Sequence, residues 1–262
     1  FPRTRSWNLF DLKTDPSEMN SVHEDPKYAR ILAGLRARYM SLRDLYDVNS
    51  AVIPATRGDE PRWRERFASQ IKEARKGEAE LVFVGDSITQ GWEVAGKPVW
   101  NEFYANRKAI NLGIGGDRTE NVIWRLQHGK TEYLNQKVAV LLIGTNNTGH
   151  FLQDPSEVAE GVQDILLRMK TQWPDATIVV QGIFPRGEDR FDSQRLNNIA
   201  INERVRRFAD GDRVRFLEIG DVFLQDDGTI SQDIMPDRLH LSEEGYRRWA
   251  NAIEPTLVEL GL

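Results

Sequence analysis

The sequence contains no cysteine among its 262 residues, and it contains only four histidines. The first absence excludes disulfide bonds, thiolate nucleophiles and zinc sites with sulfur ligands. The scarcity of histidine leaves few candidates for an imidazole base, namely His23, His128, His150 and His240. A reaction assisted by histidine must therefore use one of these four rings.

Long apolar runs and a surplus of basic residues are also missing. The longest apolar run, Val138–Ile143, is far too short to span a bilayer. Lys and Arg number 35 against 40 Asp and Glu, which makes the formal charge -5. Without surplus positive charge to neutralise phosphates, neither a nucleic acid nor a membrane is expected as a partner. No signal peptide is visible in this chain, and a start at Phe1 rather than Met indicates a processed, trimmed or omitted N-terminus.

From about residue 80 onward, short apolar runs alternate with longer amphipathic stretches. The runs predict five strands, at Glu80–Gly85, Lys108–Leu112, Val138–Ile143, Thr177–Gln181 and Val214–Glu218. Three of them are near-continuous Val/Ile/Leu runs, which is typical of strands buried on both faces. The amphipathic stretches predict helices at Ser156–Met169, Leu196–Phe208 and Glu243–Leu260. The second of these helices is expected to bury a stripe made of Leu196, Ile199, Val205 and Phe208. Strand–helix alternation indicates a parallel sheet covered on both faces.

Residues 1–78 have a different character. Trp7–Leu12 reads as an extended piece, and a turn at Asp15-Pro16 follows it. A helix is predicted from about Pro26, with an apolar face made of Tyr28, Ile31, Leu32, Leu35, Tyr39 and Leu42. Asn49–Pro61 contains Pro and Gly and reads as a linker, and Glu60–Lys76 predicts a helix that leads into the first strand. We therefore expect an N-terminal extension with its linker at residues 1–58 and one domain at residues 59–262.

Glycine and polar residues follow the predicted strands at their carboxyl ends. The four segments are GDS at 85–87, GIGGD at 113–117, GTNN at 144–147 and, after the last strand, DRLH at 237–240. Ligands of an open parallel sheet bind outside the carboxyl ends of its strands. The four segments are therefore expected to converge on one edge of the sheet.

These segments hold the parts that an acyl-transfer reaction needs. Ser87 requires a base within hydrogen-bond reach, and His240 has the carboxylate of Asp237 three residues upstream to hold its tautomer. The backbone N–H groups of Ser87 and Gly116 and the side-chain amide of Asn146 are expected to bind the oxyanion. The serine does not lie in a G-x-S-x-G elbow, so the α/β-hydrolase fold is not expected.

The segments GDSITQGW, GIGGDRT, GTNN and DRLHLSEEGY resemble the conserved blocks of the SGNH (GDSL) hydrolases. The four residues that name this family correspond to Ser87, Gly116, Asn146 and His240. Longer stretches such as NLGIGGDRTENVIWRLQHG and DGTIS…LHLSEEGY resemble the catalytic subunits of platelet-activating factor acetylhydrolase and their bacterial relatives. One departure is Asn147, where many family members have Asp.

The resemblance covers about residues 80–260. Together with the strand pattern it implies a three-layer α/β/α flavodoxin-like sandwich with a parallel five-stranded sheet of order 2-1-3-4-5, preceded by the N-terminal extension. It also implies a serine esterase that removes short acyl groups, acetyl above all, and that needs no metal or cofactor. Substrate contacts are expected from side chains that follow the strand ends, namely Trp92, His150, Phe184 and Arg186.

Residues 7–46 carry a second resemblance, to the C-terminal tail of type I sulfatases. In that tail a strand ending in Tyr/Phe-Asp-Leu precedes a D-P-x-E turn and a helix, and WNLFDLKTDPSE has this pattern. Sulfatase chemistry itself would need a C/S-x-P-x-R motif, which this sequence lacks. The resemblance favours carbohydrate O-acetyl esters as substrates and a periplasmic or extracellular location. It also suggests a sulfatase domain, or a second copy of the chain, as the partner of the extension.

Two alternatives stay open on the sequence. A lipid-directed acetylhydrolase or lysophospholipase would use the same catalytic residues on a different alcohol. A carbohydrate-binding or docking module of a sulfatase–esterase fusion would need no catalysis, although the complete set of Ser87, Asp237 and His240 disfavours a purely binding role.

Overall fold

The computed structural model describes residues 8–17, 19–46 and 49–262, with side chains described outside residues 39–46. Its contacts divide the chain into two compact units, Phe1–Asn49 and Ser50–Leu262. Among the described residues, no helix combines the length and apolar character that crossing a membrane requires.

The larger unit is built on a parallel sheet with the strand order β2-β1-β3-β4-β5. Its strands are β1 (Leu81–Gly85), β2 (Ala109–Gly113), β3 (Val138–Leu142), β4 (Thr177–Gln181) and β5 (Val214–Leu217). Every residue of β1 and β3 is buried, because both strands are central and have helices on both sides. The predicted sheet and its order are confirmed.

Helices cover both faces of this sheet and complete the three layers. They are α2 (Pro61–Ala74), α3 (Ser87–Gln90), α4 (Lys97–Phe103), α5 (Thr119–His128), α6 (Thr145–Phe151), α7 (Pro155–Gln172), α8 (Ser193–Val205) and α9 (Glu243–Glu259). Strand β1 shows how the core divides, since Val82 and Val84 pack with residues of α5 and α7 on one face. Its alternate residues Leu81 and Phe83 pack with α4 and α9 on the other face.

Helix α8 buries a different face from the one that its apolar residues predict. Leu196 is 49% exposed and Ile199 is 46% exposed, so this part of the predicted stripe is wrong. The buried face carries polar residues beside Ile201 and Val205, namely Arg195, Asn197, Asn198 and Asn202. Asn202, for example, accepts a hydrogen bond from Ile183 N at 2.8 Å and donates one to Ile183 O at 3.0 Å. Each of the four side chains makes hydrogen bonds that offset the cost of its burial. Arg195, Asn198 and Asn202 donate to carbonyls of the chain that follows β4, whereas Asn197 donates to Thr148 Oγ1 and Gln153 O.

Residues 50–60, expected to form a linker, pack against the start of α5. Ala51 is fully buried, and its carbonyl accepts a hydrogen bond from Thr119 Oγ1 at 2.9 Å. Ala55 donates its N–H to Glu120 O at 3.1 Å and accepts a hydrogen bond from Asn121 Nδ2 at 2.9 Å. These bonds lie within the larger unit. The division between the units therefore falls at 49/50, ahead of the 58/59 boundary expected from composition.

In the smaller unit, residues 8–17 and 19–25 form turns and coil. Val22 N donates to Leu9 O at 2.7 Å, and the Tyr28 hydroxyl donates to Asp11 Oδ2 at 2.6 Å. The Tyr28 hydrogen bond lowers the pKa of Asp11. Of the segment expected to be extended, Trp7–Leu12, residues 8–11 have no regular secondary structure and Leu12 lies in a turn. Trp7, which begins that expected segment, lies outside the described residues.

The predicted N-terminal helix is present as a 3-10 turn at Pro26–Tyr28 followed by α1 (Ala29–Tyr46). Of its predicted apolar face, Leu32 is buried and Tyr28 is half-buried, whereas Ile31 and Leu35 are exposed. The rest of that face, Tyr39 and Leu42, lies outside the described side chains.

Candidate active site

Ser87 is the first residue of α3 and follows β1 by a single residue. The intervening Asp86 caps the helix, because its Oδ1 accepts a hydrogen bond from Ile88 N at 2.9 Å. This turn leaves Ser87 half-buried at the carboxyl edge of the sheet, while its neighbours Asp86 and Ile88 are buried. The hydroxyl group is therefore held on a fixed backbone and stays accessible.

His240 and Asp237 lie in the loop before α9 and are hydrogen-bonded to each other and to Ser87. His240 Nε2 lies 2.9 Å from Ser87 Oγ, and His240 Nδ1 lies 2.6 Å from Asp237 Oδ2. Asp237 Oδ1 also accepts the backbone N–H groups of Leu239 at 3.0 Å and His240 at 2.7 Å. Arg238, between them, has a positive φ of 60°, which lets the short loop turn back on itself. All three residues expected to form a triad are thus brought together.

The carboxyl group of Asp237 has a lowered pKa. Its partial burial raises the pKa, but the side-chain and backbone hydrogen bonds from His240 and the backbone bond from Leu239 outweigh this effect. Asp237 is therefore ionised at neutral pH and accepts the Nδ1–H of His240. That arrangement leaves the lone pair of Nε2 facing the serine hydroxyl.

The residues expected to bind an oxyanion also meet at this edge. A Cβ atom placed on Gly115 would lie 3.6 Å from Ser87 Cβ, so the glycine loop, residues 113–117, runs alongside Ser87. On its other side, Asn146 Nδ2 donates to Asp117 O at 2.9 Å, which leaves one amide N–H of Asn146 for a ligand. Gly116 lies between these two contacts. In the described part of the chain, no protein acceptor takes the backbone N–H of Gly116 or Ser87.

Arg57 holds the glycine loop from the segment that precedes α2. Its Nη1 donates to Gly115 O at 2.7 Å and to Asp117 Oδ1 at 3.1 Å. A Cβ on Gly116, whose φ is +79°, would lie 2.9 Å from the same Nη1 atom, so only glycine fits beneath the guanidinium. Glu60 binds the other side of the guanidinium with both carboxylate oxygens, at 2.8 and 2.6 Å.

Asp117 anchors the end of the glycine loop in the interior. It is fully buried and accepts hydrogen bonds from Trp63 Nε1 at 2.7 Å and Arg125 Nε at 2.7 Å, besides the one from Arg57. Arg125 donates in addition to the carbonyls of Leu112 and Gly85, at the ends of β2 and β1. The buried ion pair therefore ties the glycine loop to the ends of β1 and β2, next to Ser87.

Asp86 is a buried carboxyl group with one unpaired oxygen. Its Oδ2 has no hydrogen-bond partner among the described residues. Burial raises the pKa of Asp86 to about 7, and the negative charge of Asp117 adds to this effect. The hydrogen bond from Ile88 N–H and the positive charge of Arg186 act in the opposite direction.

Two of the four expected substrate contacts lie in the core instead. Trp92 is 0% exposed, with its ring centroid 4.5 Å from that of Tyr246, and Phe184 is 1% exposed and packs 5.0 Å from Trp249. Both side chains point into the layer between the sheet and α9. Fully buried rings of this kind support the site from behind and offer no surface to a substrate.

The other two expected contacts are accessible. His150 is exposed on the last turn of α6, four residues after Asn146. Arg186 is half-buried and donates from Nη1 to Thr145 O at 2.8 Å and to Thr145 Oγ1 at 3.0 Å. Both therefore lie beside the segment 144–147 that contains Asn146, called here the oxyanion segment.

Asn147, the departure from the common family pattern, has a specific environment. It is fully buried, and its Nδ2 donates to Glu120 Oε2 at 3.2 Å and to Gln153 Oε1 at 2.9 Å. Its Oδ1 accepts the backbone N–H of Thr119 at 3.1 Å. An aspartate here would face the buried carboxylate of Glu120, so the amide is required by this neighbour.

Comparison with known proteins agrees with this geometry. Residues 83–248 match the GDSL-like Lipase/Acylhydrolase family. Platelet-activating factor acetylhydrolase IB subunit alpha1 from Homo sapiens is 36% identical over 200 residues, which span 76% of this chain and 84% of that protein.

Solved structures share the fold at lower identity. A GDSL-like lipase from Bacteroides thetaiotaomicron superposes with a TM-score of 0.61 at 16% identity, covering 74% of this chain and 97% of that one. The carbohydrate acetylesterase Est24 from Sinorhizobium meliloti superposes with a TM-score of 0.56 at 19% identity, covering 70% and 99%. The family match and the human relative assign the chain: it belongs to the GDSL-like lipase/acylhydrolase family and is an ester hydrolase.

Proposed function

We propose that this chain removes short acyl groups, acetyl above all, from carbohydrate O-acetyl esters, with Ser87 as the nucleophile. The observation that carries the proposal is the hydrogen-bonded series from Ser87 Oγ to His240 Nε2, at 2.9 Å, and from His240 Nδ1 to Asp237 Oδ2, at 2.6 Å. A serine hydroxyl becomes an effective nucleophile when an oriented base can take its proton. These distances supply both the base and the group that orients it.

The first step forms an acyl-enzyme. His240 Nε2 takes the proton of Ser87 Oγ as this oxygen attacks the ester carbonyl carbon, and ionised Asp237 stabilises the imidazolium. The carbonyl oxygen becomes an oxyanion that receives hydrogen bonds from the N–H groups of Ser87 and Gly116 and from the Asn146 amide. When the tetrahedral intermediate collapses, the ester C–O bond breaks and His240 gives its proton to the departing alcohol.

The second step repeats this chemistry with water. His240 takes a proton from the water molecule while its oxygen attacks the acyl carbon, and the oxyanion is bound as before. The bond to Ser87 Oγ then breaks, and His240 returns the proton to the serine. The products are a carboxylic acid and the free enzyme, and no step requires a metal ion or an organic cofactor.

The surroundings of Ser87 favour a carbohydrate over a lipid. Arg186 and the exposed His150 flank the oxyanion segment, and Arg238 lies between Asp237 and His240 in the chain. Such groups suit the hydroxyl and ring oxygens of a sugar, whereas a lipid-binding surface requires a continuous apolar patch.

A structural relative and a sequence pattern support the same substrate class. Est24, which shares the fold, is a carbohydrate acetylesterase. The sulfatase-like pattern of residues 7–46 adds a link to modified polysaccharides and to a periplasmic or extracellular location. On this proposal, a sulfatase domain or a second copy of the chain is the partner of the N-terminal unit.

The second candidate is an acetylhydrolase acting on lipid, which the 36% identity to a platelet-activating factor acetylhydrolase subunit favours. Both candidates predict preference for a short acyl group, and they differ in the alcohol.

Two sets of substrates test the proposal, with Ser87→Ala as the inactive control. Among aryl acetate, butyrate and octanoate, we expect kcat/KM to fall as the acyl chain lengthens. Between acetylated xylo-oligosaccharides and an acetylated glycerophospholipid, we expect faster release of acetate from the sugar. Preference for octanoate would contradict the short-acyl assignment, and faster hydrolysis of the phospholipid would favour the second candidate.

A further inference from the structure

Arg186 lies between the oxyanion segment and the loop that carries His240. Its Nη1 is bound to the carbonyl and hydroxyl of Thr145, and its guanidinium lies on Gly149, where a Cβ would approach Nη1 to 2.8 Å. The next residue, Gly187, donates its N–H to Arg238 O at 3.0 Å. This bond connects the segment after β4 to the loop that carries Asp237 and His240. The guanidinium is therefore held by Thr145, and the backbone next to Arg186 is held by the loop that carries His240.

This arginine has no close counter-ion, although it is more than half-buried. Among the described residues no carboxylate oxygen lies within 4.0 Å of its guanidinium, and its Nε and Nη2 atoms have no hydrogen-bond acceptor in the same part of the chain. Burial lowers the pKa of Arg186, against the more distant negative charges of Asp192, Asp86 and Asp237. Nε and Nη2 of Arg186 are not among the fully buried unpaired atoms of the described residues, so they reach solvent and are available to a ligand.

The guanidinium groups of other arginines near the site have carboxylate or carbonyl acceptors within the protein. Arg125 pairs with Asp117, and Arg57 pairs with Glu60 and Asp117. Arg195, on α8, donates to the carbonyls of three loop residues, at 2.6 to 3.0 Å. Arg186 differs from them because two of its nitrogens, which form one edge of the guanidinium fork, are left for another molecule.

We propose that Arg186 binds an anionic group of the substrate, a carboxylate, sulfate or phosphate located on the alcohol moiety close to the scissile ester. The alcohol leaves next to His240, which must protonate it, and Arg186 is tied to the loop of His240 through Gly187. The free Nε–Nη2 edge matches two oxygens of such an anion in a bidentate geometry. The inference rests on the proposed ester hydrolysis at Ser87 and adds the charge of the substrate to it.

An anion in this position has two chemical sources. A uronic acid or a sulfated sugar carries it on the ring that bears the acetyl group, and an acetylated glycerol phosphate carries it on the adjacent carbon. The assay therefore uses three acetyl esters of similar size: an acetylated methyl glucoside, an acetylated methyl glucuronide and 2-acetylglycerol 3-phosphate.

Wild type, Arg186→Gln, Arg186→Lys and the control Arg190→Gln are compared on these esters. Arg190 lies on the same loop and is exposed, so its substitution removes the same charge outside the site. We expect wild type and Arg190→Gln to prefer at least one anionic ester to the neutral one. Arg186→Gln should lower that preference about 10-fold or more, and Arg186→Lys should lower it less, because it keeps the charge but loses the fork. The ester that is preferred identifies the source of the anion.

A wild type without preference for either anionic ester, or an Arg186→Gln that loses kcat/KM equally on all three, would overturn the proposal. A binding measurement keeps this test separate from catalysis. Inorganic sulfate should raise the thermal unfolding midpoint of wild type and Arg190→Gln more than that of Arg186→Gln. Equal midpoint shifts in the three proteins would also exclude the anion site. Failure of wild type to hydrolyse aryl acetate would count against the proposed function alone.

Discussion

Asp86 illustrates how a single residue next to the nucleophile can oppose stability. Its carboxyl group is 1% exposed, one of its oxygens is unpaired, and its pKa is raised to about 7 from an ordinary 3.8. The other oxygen caps α3 and so fixes the turn that presents Ser87. The cap is retained although the ionised form is poorly solvated.

The raised pKa makes stability depend on pH. Below pH 3.8 Asp86 is protonated in both states, and between 3.8 and about 7 the unfolded chain ionises while the native state keeps its proton. The native state therefore loses stability as pH rises through this window, by as much as about 4 kcal/mol. Asp86→Asn keeps the cap without the ionisation. We expect its free energy of unfolding, relative to wild type, to increase between pH 4 and pH 8, as measured by urea titration. A difference that stays constant with pH would show that Asp86 ionises normally.

At the scale of elements, the strands and the catalytic segments were predictable because their signals are local. Buried strands such as Val138–Leu142 show up in the sequence as apolar runs. Ser87, Gly116 and Asn146 come shortly after the first three strands, and His240 lies in the loop before α9, so their positions could be predicted from the order of the elements. The family blocks then identified the chemistry.

What the sequence did not predict depends on contacts between distant segments. The apolar residues Leu196 and Ile199 of α8 are exposed because buried asparagines on the opposite face bind the chain after β4. Trp92 and Phe184 follow strand ends as expected, but the direction of their side chains depends on packing against α9. Arg57 is 58 residues from Gly115 and lies in a stretch whose Pro and Gly indicate a linker.

Arg57 gives the segment before α2 a testable role in positioning the glycine loop. We expect Arg57→Ala to lower kcat for aryl acetate by about 10- to 100-fold, with KM little changed, because Gly116 N–H is no longer held for the oxyanion. Arg57→Lys should retain more activity, and added guanidinium ion should partly restore Arg57→Ala. The control Arg62→Ala removes an exposed arginine near the start of α2 and should behave as wild type. A change in KM with kcat unchanged, or no rescue by guanidinium ion, would show that Arg57 does not position the glycine loop.

At the scale of the whole molecule, the division at 49/50 predicts different results for two truncations. Deleting residues 1–49 leaves the compact unit Ser50–Leu262 with all its site contacts, so aryl acetate turnover should stay close to that of the full chain. Deleting residues 1–58 also removes Ala51 and Arg57, so we expect lower turnover and a lower thermal unfolding midpoint. Light scattering on the first truncation tests whether the N-terminal unit mediates self-association.

Equal activity of the two truncated proteins would show that residues 50–58 contribute nothing to the site. Loss of activity in a well-folded protein lacking residues 1–49 would instead show that the N-terminal unit builds part of it.

If Ser87 is the nucleophile, turnover passes through an acyl-enzyme on Ser87, and trapping this intermediate identifies the residue that carries it. Wild-type protein mixed with excess aryl acetate and quenched in acid should carry one acetyl group on the peptide that contains Ser87, as read by mass spectrometry. Ser87→Ala should carry none and should lose turnover by roughly 10³-fold or more, because the triad acts as a unit. An acetyl group found on another residue, or a Ser87→Ala protein that turns over aryl acetate like wild type, would show that Ser87 is not the nucleophile.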